Sequence, residues 1–234
     1  MVESSSMPSR YIIRNYAPDN YYHIFNCGLN KQDIFLEGND YKLFLYYLFI
    51  YTAPINLVLK RYKQLSFRLQ GKNLSQQMKL VAYCLMPNHY HLLVFPQTKE
   101  AVPKLMRQIA NAYTTYFNRK KKREGYLFSS RYKAVAVESE YQLLHLSRYI
   151  HLNPVVAGLA ELPEAYPWSS GAAFLGGQDN QGCYTEPIIN AFKDKEQGYR
   201  SFLADQIDYA RDLEEQKHLL IDTPRIEVEP QFIS

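Results

Sequence analysis

His89 and His91 flank one residue, Tyr90, inside the run Cys84-Leu85-Met86-Pro87-Asn88-His89-Tyr90-His91-Leu92-Leu93-Val94-Phe95. Side chains alternate between the faces of a β-strand, so the two imidazoles point the same way. The apolar neighbours predict that at least one face of this strand is buried. Two imidazoles already fixed by a sheet can hold a divalent cation at little conformational cost. Such a cation can grip a phosphate and ready it for attack.

A second constellation lies farther along the chain. His145, Tyr149 and Asn153 are spaced four apart, which places them on one stripe of a helix. Leu146 and Ile150 form the adjacent apolar stripe that anchors it. Tyr149 offers a phenol nucleophile, and Asn153 offers an amide oxygen one turn away as a third ligand beside His89 and His91. Two imidazoles and one amide oxygen, without a thiolate, suit Mg²⁺ or Mn²⁺ better than a structural zinc. All three ligands are neutral, so a cation there keeps its full charge as a Lewis acid. A free tyrosine ionises near pH ~10, and a nearby cation favours its phenolate. Attack on a phosphodiester would give a 5′-phosphotyrosine bond and a free 3′-hydroxyl. That linkage stores the bond energy, so the 3′-hydroxyl of a second strand can reverse the step. His145 shares the stripe and is a further candidate for metal or DNA contact, beside its plainer reading as a surface helix residue. His151 faces another side of the helix and is a lesser candidate for substrate contact.

These residues need elements to position them. Tyr21 to Cys27 reads as a strand, Gln32 to Tyr51 as a helix, and residues 52–78 as a helical or loop excursion. Lys79 to Met86 and His89 to Phe95 form a hairpin around the turn signal Pro87-Asn88. Pro103 opens a helix that runs to about Arg123, with Leu105, Ile109, Ala112 and Tyr116 inward. Tyr132 to Val137 is a strand, and Tyr141 to Asn153 is a helix that Pro154 is expected to stop. Strand, helix, strand, strand, helix, strand is the layout of an α+β ferredoxin-like sandwich, an antiparallel sheet with helices on one face. Residues 1–20 read as an N-terminal arm, 21–175 as the catalytic domain, and 176–234 as an acidic helical extension, helical from Glu186 to Leu220.

Composition narrows the partners. The net charge of +4 over 234 residues hides an asymmetry. Residues 1–160 hold 21 Lys and Arg against 9 Asp and Glu, whereas residues 161–234 hold 6 against 14. A basic body suits a polyanion such as nucleic acid. The acidic end reads as a solvated segment or as one that packs on the body. The three cysteines, Cys27, Cys84 and Cys183, show neither a disulfide framework nor zinc spacing. No apolar run is long enough to span a bilayer. The polar, serine-rich start lacks the layout of a secretion signal, which predicts a cytoplasmic protein.

Within the basic body, Arg119-Lys120-Lys121-Lys122-Arg123 ends the long helix near Tyr113, Tyr116 and Tyr126. Basic residues interleaved with aromatics fit a single-stranded track, phosphates on the charges and bases on the rings. The same run also suits a solvated helix C-terminus. Arg131, Lys133 and Arg148 could each hold a phosphate, and Arg148 could instead pair with the acidic end. Asn26, Asn30 and Lys31 sit between the first strand and first helix, where backbone amides and a lysine can cradle a phosphate or base. An ordinary strand-to-helix connection accounts for them equally well.

Five segments resemble the single-tyrosine HUH transposases, and most closely the branch associated with repetitive extragenic palindromes. They are Asn26 to Phe35, Met86 to Val94, Arg131-Tyr132-Lys133, Arg148 to Leu159, and Tyr166 to Ser170. Residues 21–175 are covered. The resemblance implies that His89 and His91 are the HUH pair, Tyr149 the nucleophile and Asn153 the third ligand. It implies a Mg²⁺- or Mn²⁺-dependent enzyme that nicks and rejoins single-stranded DNA beside a folded hairpin, with a second copy of the chain as a candidate partner. The chain departs from the pattern where Cys27 and Val156 replace arginines common in the family. On the residues alone two other readings stay open: a single-stranded nucleic-acid-binding module, and a metal hydrolase that activates water.

Overall fold

Burial alternates residue by residue along the first strand, β1 (Tyr21–Cys27), as a sheet covered unequally on its two faces requires. The computed structural model describes residues 15–177 and 182–207. Strands β2 (Met78–Met86), β3 (His89–Pro96) and β4 (Lys133–Val137) complete one antiparallel sheet in the order β2-β3-β1-β4. The helices are α1 (Gly38–Thr52), α2 (Ile55–Arg61), α3 (Phe67–Gln70), α4 (Ala101–Lys121), α5 (Glu140–Val156), α6 (Gly171–Phe174), α7 (Glu186–Ile189) and α8 (Lys195–Ala204). The expected ferredoxin-like order is present, and residues 52–78 hold the two short helices α2 and α3.

Each face of the sheet has its own core. Tyr22, Ile24, Tyr83, Tyr90, Leu92 and Val94 pack against α1 and α4. On the other face Ala82, Cys84, Met86 and Leu93 pack with Leu143, Ile150 and Leu152 of α5, and with Tyr199 and Leu203 of α8. The expected layer of helices on one face is therefore joined by a second layer. Its source is the chain after β4, whose apolar residues cover a face that the ferredoxin pattern alone leaves open. Tyrosine is abundant because it serves as core: Tyr16, Tyr51, Tyr83, Tyr90, Tyr113 and Tyr199 are among the largest fully buried side chains.

The helix expected from Glu186 to Leu220 is two short helices, α7 and α8, parted by residues 190–194, and its residues 208–220 lie outside the described residues. Two further helix boundaries differ from the sequence pattern. The first helix starts at Gly38 rather than near Gln32, because a capping box between Glu37 and Asp40 sets its first turn. The residues before it are held elsewhere, as the amides of Ile34 and Phe35 both donate to the Pro87 carbonyl. At the other boundary, α5 runs through Pro154 to Val156. Proline disfavours helix in the residue before it without forbidding it. Here Pro154 and Val155 are buried, so packing of the last turn outweighs that preference.

The outer edge of β2 is covered. Leu85 donates to the Trp168 carbonyl and Ser170 donates to the Tyr83 carbonyl, so residues 168–170 run along the strand like a short fifth partner. Such cover removes an exposed pairing edge. Trp168 then stacks on Tyr41 at 4.7 Å. Among the described residues no helix is long and apolar enough to cross a membrane.

Candidate active site and nucleic-acid interface

Antiparallel register brings the histidines together. Cys27 pairs with His89 and Phe25 with His91, so His23, Phe25, His89 and His91 share the face that α5 crosses. His89 and His91 have ring centroids 5.0 Å apart. His23 lies against His91, with its Nε2 2.9 Å from His91 Nδ1 and the rings stacked at 5.0 Å. Sequence reasoning missed His23. Its position on the same strand parity as Phe25 was readable, but the register that sets it beside His91 was not.

Hydrogen bonding fixes the rings of the pair. With His91 Nδ1–H donating to His23 Nε2, the Nε2 of His91 keeps its lone pair. That Nε2 is buried and has no hydrogen-bond partner among the described residues. His89 Nδ1–H donates to Asn88 Oδ1 at 2.6 Å, which fixes its tautomer in the same way. Burial lowers the pKa of His23 to about 4 and holds that of His91 well below the usual histidine range, with His23 and His89 adding to the effect. Burial also lowers the pKa of His89, opposed by the hydrogen bond its protonated ring donates to the Asn153 side chain. These rings are neutral near pH 7, the state a metal ligand requires.

Helix α5 carries the rest of the site. The Tyr149 ring lies 5.3 Å from the His91 ring and 6.3 Å from that of His23, and Tyr149 is 51% exposed. Asn153, one turn on, reaches His89. His89, His91, Tyr149 and Asn153 thus meet in one chain. Among the described residues no three His, Cys, Asp or Glu side chains are grouped as metal ligands by themselves. Two imidazoles with an amide are the donor set that fits here, and the orphaned Nε2 of His91 is the atom that calls for a partner. An open cleft of ≈ 390 Å³ beside them is lined by His23, His91, Val135, His145 and Tyr149, among others.

The remaining predicted residues divide by what their side chains already hold. Asn30, Lys31, Arg119, Lys121, Lys122, Arg131 and Lys133 are exposed. Asn30 and Lys31 take left-handed backbone, with φ of 53° and 59°. Asn88 Nδ2 donates to the Lys31 carbonyl, which ties their loop to the His89 end of the sheet. Gly28 starts that loop, and a Cβ there would meet the Gln32 carbonyl oxygen at 2.1 Å. Lys133 lies over the Phe25 ring, on the face of the histidines.

Others are engaged inside the protein. Asn26 is buried; its amide donates to the Ser130 carbonyl and accepts from the Cys27 amide. Lys120 pairs with Glu37 and Asp40, joining α4 to α1. Arg123 donates to Gln32 and to the Tyr126 carbonyl. Arg148 stacks on Phe202 at 4.1 Å and donates to the Phe202 carbonyl and to His145 Nδ1. The side chain of His145 lines the cleft beside Tyr149 as well. His151 is fully buried, between the Tyr199 hydroxyl at 2.7 Å and Ser170 Oγ at 2.8 Å, and burial lowers its pKa to about 3.

Comparison with known proteins adds a family match in sequence and several matches in structure. Residues 56–153, somewhat under half of the chain, match the family described as "Transposase IS200 like". That span contains all four of His89, His91, Tyr149 and Asn153. No curated protein matches the chain. One similar solved structure is a REP-associated tyrosine transposase bound to a REP hairpin, at 16% identity and a TM-score of 0.46, covering 73% of this chain and 84% of that one. Another, described as a transposase from Deinococcus radiodurans R1, aligns at 17% identity and a TM-score of 0.31, covering 62% of this chain and 95% of that one.

Proposed function

We propose, on the premise that residues 56–153 carry an IS200-like transposase domain, that this protein nicks single-stranded DNA and transfers the strand through a 5′-phosphotyrosine bond on Tyr149. The observation that carries the reading is that α5 sets the Tyr149 ring beside His91, whose Nε2 is orphaned, and Asn153 beside His89. Hairpin-flanked sites are the proposed targets, in line with the hairpin named for one similar structure.

His89, His91 and Asn153 would hold a Mg²⁺ or Mn²⁺ ion. When bound, that ion supplies the Lewis acidity that draws charge from the scissile phosphate. The chain does the rest. His23 fixes the His91 ring, and Asn88 fixes the His89 ring. Helix α5 presents Tyr149 Oη to the phosphorus. Attack forms the O–P bond to tyrosine and breaks the bond to the 3′ oxygen, which leaves and takes a proton from water. Tyr149 is half exposed, so solvent can accept the phenolic proton. In the reverse sense, a 3′-hydroxyl attacks the phosphotyrosine and Tyr149 leaves, which joins the strands. Exposed Lys31 and Lys133, at the histidine end of the sheet, would hold backbone phosphates.

The test is a labelled single-stranded hairpin oligonucleotide incubated with the protein and Mn²⁺, then resolved under denaturing conditions. A covalent protein–DNA adduct is expected, lost in Tyr149→Phe. Cleavage that survives Tyr149→Phe and releases a free 5′-phosphate would mean water is the nucleophile. Tight binding with neither adduct nor cleavage would reduce the protein to a binding module.

A further inference from the structure

We propose that His145 is a further catalytic residue, whose Nε2–H donates a hydrogen bond to a non-bridging oxygen of the phosphate that Tyr149 attacks. This rests on the Tyr149 reading above and gives the reacting phosphate a second contact with α5.

The tautomer follows from the partner. Arg148 donates to His145 Nδ1 at 2.7 Å. A guanidinium carries donors and no acceptor, so Nδ1 presents its lone pair and the ring proton sits on Nε2. Arg148 is itself held: it is buried, its guanidinium lies 4.1 Å from the centre of the Phe202 ring, and it donates to the Phe202 carbonyl. The imidazole also packs on two rings, with its centroid 4.0 Å from that of Tyr141 and 5.5 Å from that of Phe202. Burial, and then the Arg148 charge, lower its pKa, so the ring is neutral near pH 7. The Nε2–H is left over, without a hydrogen-bond partner among the described residues. Packing on Tyr141 and Phe202 accounts for the ring and leaves that N–H unexplained.

Position supplies the acceptor. The His145 ring lines the cleft of ≈ 390 Å³ that Tyr149 and His91 also line. Among the described residues no Lys or Arg lines this cleft, and Phe25, Val135, Val137 and Leu146 make much of its wall apolar. Gln142 is a further polar side chain there, and its oxygen already accepts from the Glu138 amide. A phosphodiester carries its charge on two non-bridging oxygens, and in apolar surroundings each needs a partner. His145 stands one helical turn before Tyr149, and Asn153 one turn after it. Helical side chains lean toward the N-terminus, so Tyr149 inclines over the turn that carries His145. A phosphate on Tyr149 Oη is thus bracketed by Asn153 and His89 on one side and by the His145 N–H on the other, one side for each oxygen. A donor locked in place beforehand costs no reorganisation when charge develops on that oxygen. His145 transfers no proton; the bonds made and broken are those at phosphorus given above.

The test uses the full chain, a hairpin oligonucleotide and Mn²⁺, with adduct formation followed in time at saturating protein. His145→Phe keeps a ring against Tyr141 and Phe202 and removes the N–H. It is expected to slow adduct formation about a hundredfold, the scale of one lost oxyanion donor, with hairpin affinity and unfolding profile unmoved. His145→Gln, whose amide nitrogen can reach the place of Nε2, should recover most of the rate. A hairpin with sulfur replacing one non-bridging oxygen at the phosphate where the parent cuts gives a readout that packing would not move. On one of its two stereoisomers the loss caused by His145→Phe should shrink, because sulfur is the poorer acceptor. A loss of equal size on both stereoisomers and on the plain phosphate would make His145 structural and overturn the proposal. Imidazole nitrogen NMR should show His145 with its proton on Nε2, and a proton on Nδ1 would overturn it equally. A parent chain that forms no adduct fails the Tyr149 reading and this proposal together, whereas an adduct whose rate ignores His145→Phe fails this proposal alone.

Discussion

At the residue scale, the site separates atoms that make bonds from atoms that hold those atoms still. His89→Ala should abolish cleavage while sparing most DNA affinity, since cationic side chains dominate binding to phosphates. Cleavage rate and anisotropy on the same oligonucleotide check this, and equal loss of both would make the histidine structural. His23 belongs to the holding group: its partner is the Nδ1 of His91, and the free Nε2 points elsewhere. Removal of such an outer partner typically lowers metal affinity by 10–100-fold. His23→Ala is therefore expected to weaken Mn²⁺ binding about that much in calorimetry, with DNA affinity in metal-free buffer unmoved. An unaltered Mn²⁺ affinity would remove His23 from the machinery. Cys27, where the resembled family commonly has arginine, is half-buried with its sulfur 3.2 Å from Ser129 Oγ, so that position here supplies no cation.

At the element scale, α5 is gripped from behind. His145, Arg148 and His151 recur every three residues and all meet α8: His145 against the Phe202 ring, Arg148 on the Phe202 ring and carbonyl, His151 on the Tyr199 hydroxyl. Tyr199 also donates to Ser147 Oγ. The adjoining stripe of the same helix, which starts at His145, carries Tyr149 and Asn153. Loosening α8 should therefore misplace the nucleophile without touching it. Tyr199→Phe leaves the ring but strands His151 Nδ1, and it should slow adduct formation while leaving affinity for a hairpin within about twofold. An adduct rate equal to the parent's would show that α5 holds its place without this contact. The stripe itself was legible, because four-residue spacing needs only the helical period. The grip was not: which residue of a later helix reaches His151 depends on a chain path that no local pattern encodes. Arg148, Lys120 and Arg123 carry the same lesson. A cation in sequence looks like a phosphate ligand until the fold supplies an internal partner. The late start of α1 came from a capping exchange between Glu37 and Asp40 that competes with the hydrophobic period upstream.

At the scale of the whole molecule, the two-layer cover of the sheet explains why imidazoles can be neutral and why the fold should be acid-sensitive. The pattern of strands and helices was legible from alternation and helical spacing, and so was one reading of the acidic end, that its Phe192, Phe202 and Leu203 pack on the body; which face of the sheet they cover was not. Within the described residues of that end, Ile188, Ile189, Tyr199 and Leu203 are buried against the histidine face. Burial lowers the pKa of His151, which Tyr199 covers, to about 3 and that of His23 to about 4. An unfolded histidine titrates near pH ~6.5. Between these values the unfolded chain binds protons that the folded chain refuses, so stability is full above about pH 6.5 and falls as pH drops. For His151 alone, going from pH 7 to pH 5 should cost about 2 kcal/mol. Urea unfolding of metal-free protein at the two pH values measures the loss. His151→Gln should be less stable at pH 7, because its partners Tyr199 and Ser170 are left imperfectly bonded, yet it should lose less on acidification. If the variant and the parent fall by the same amount from pH 7 to pH 5, the acid response arises outside this buried ring.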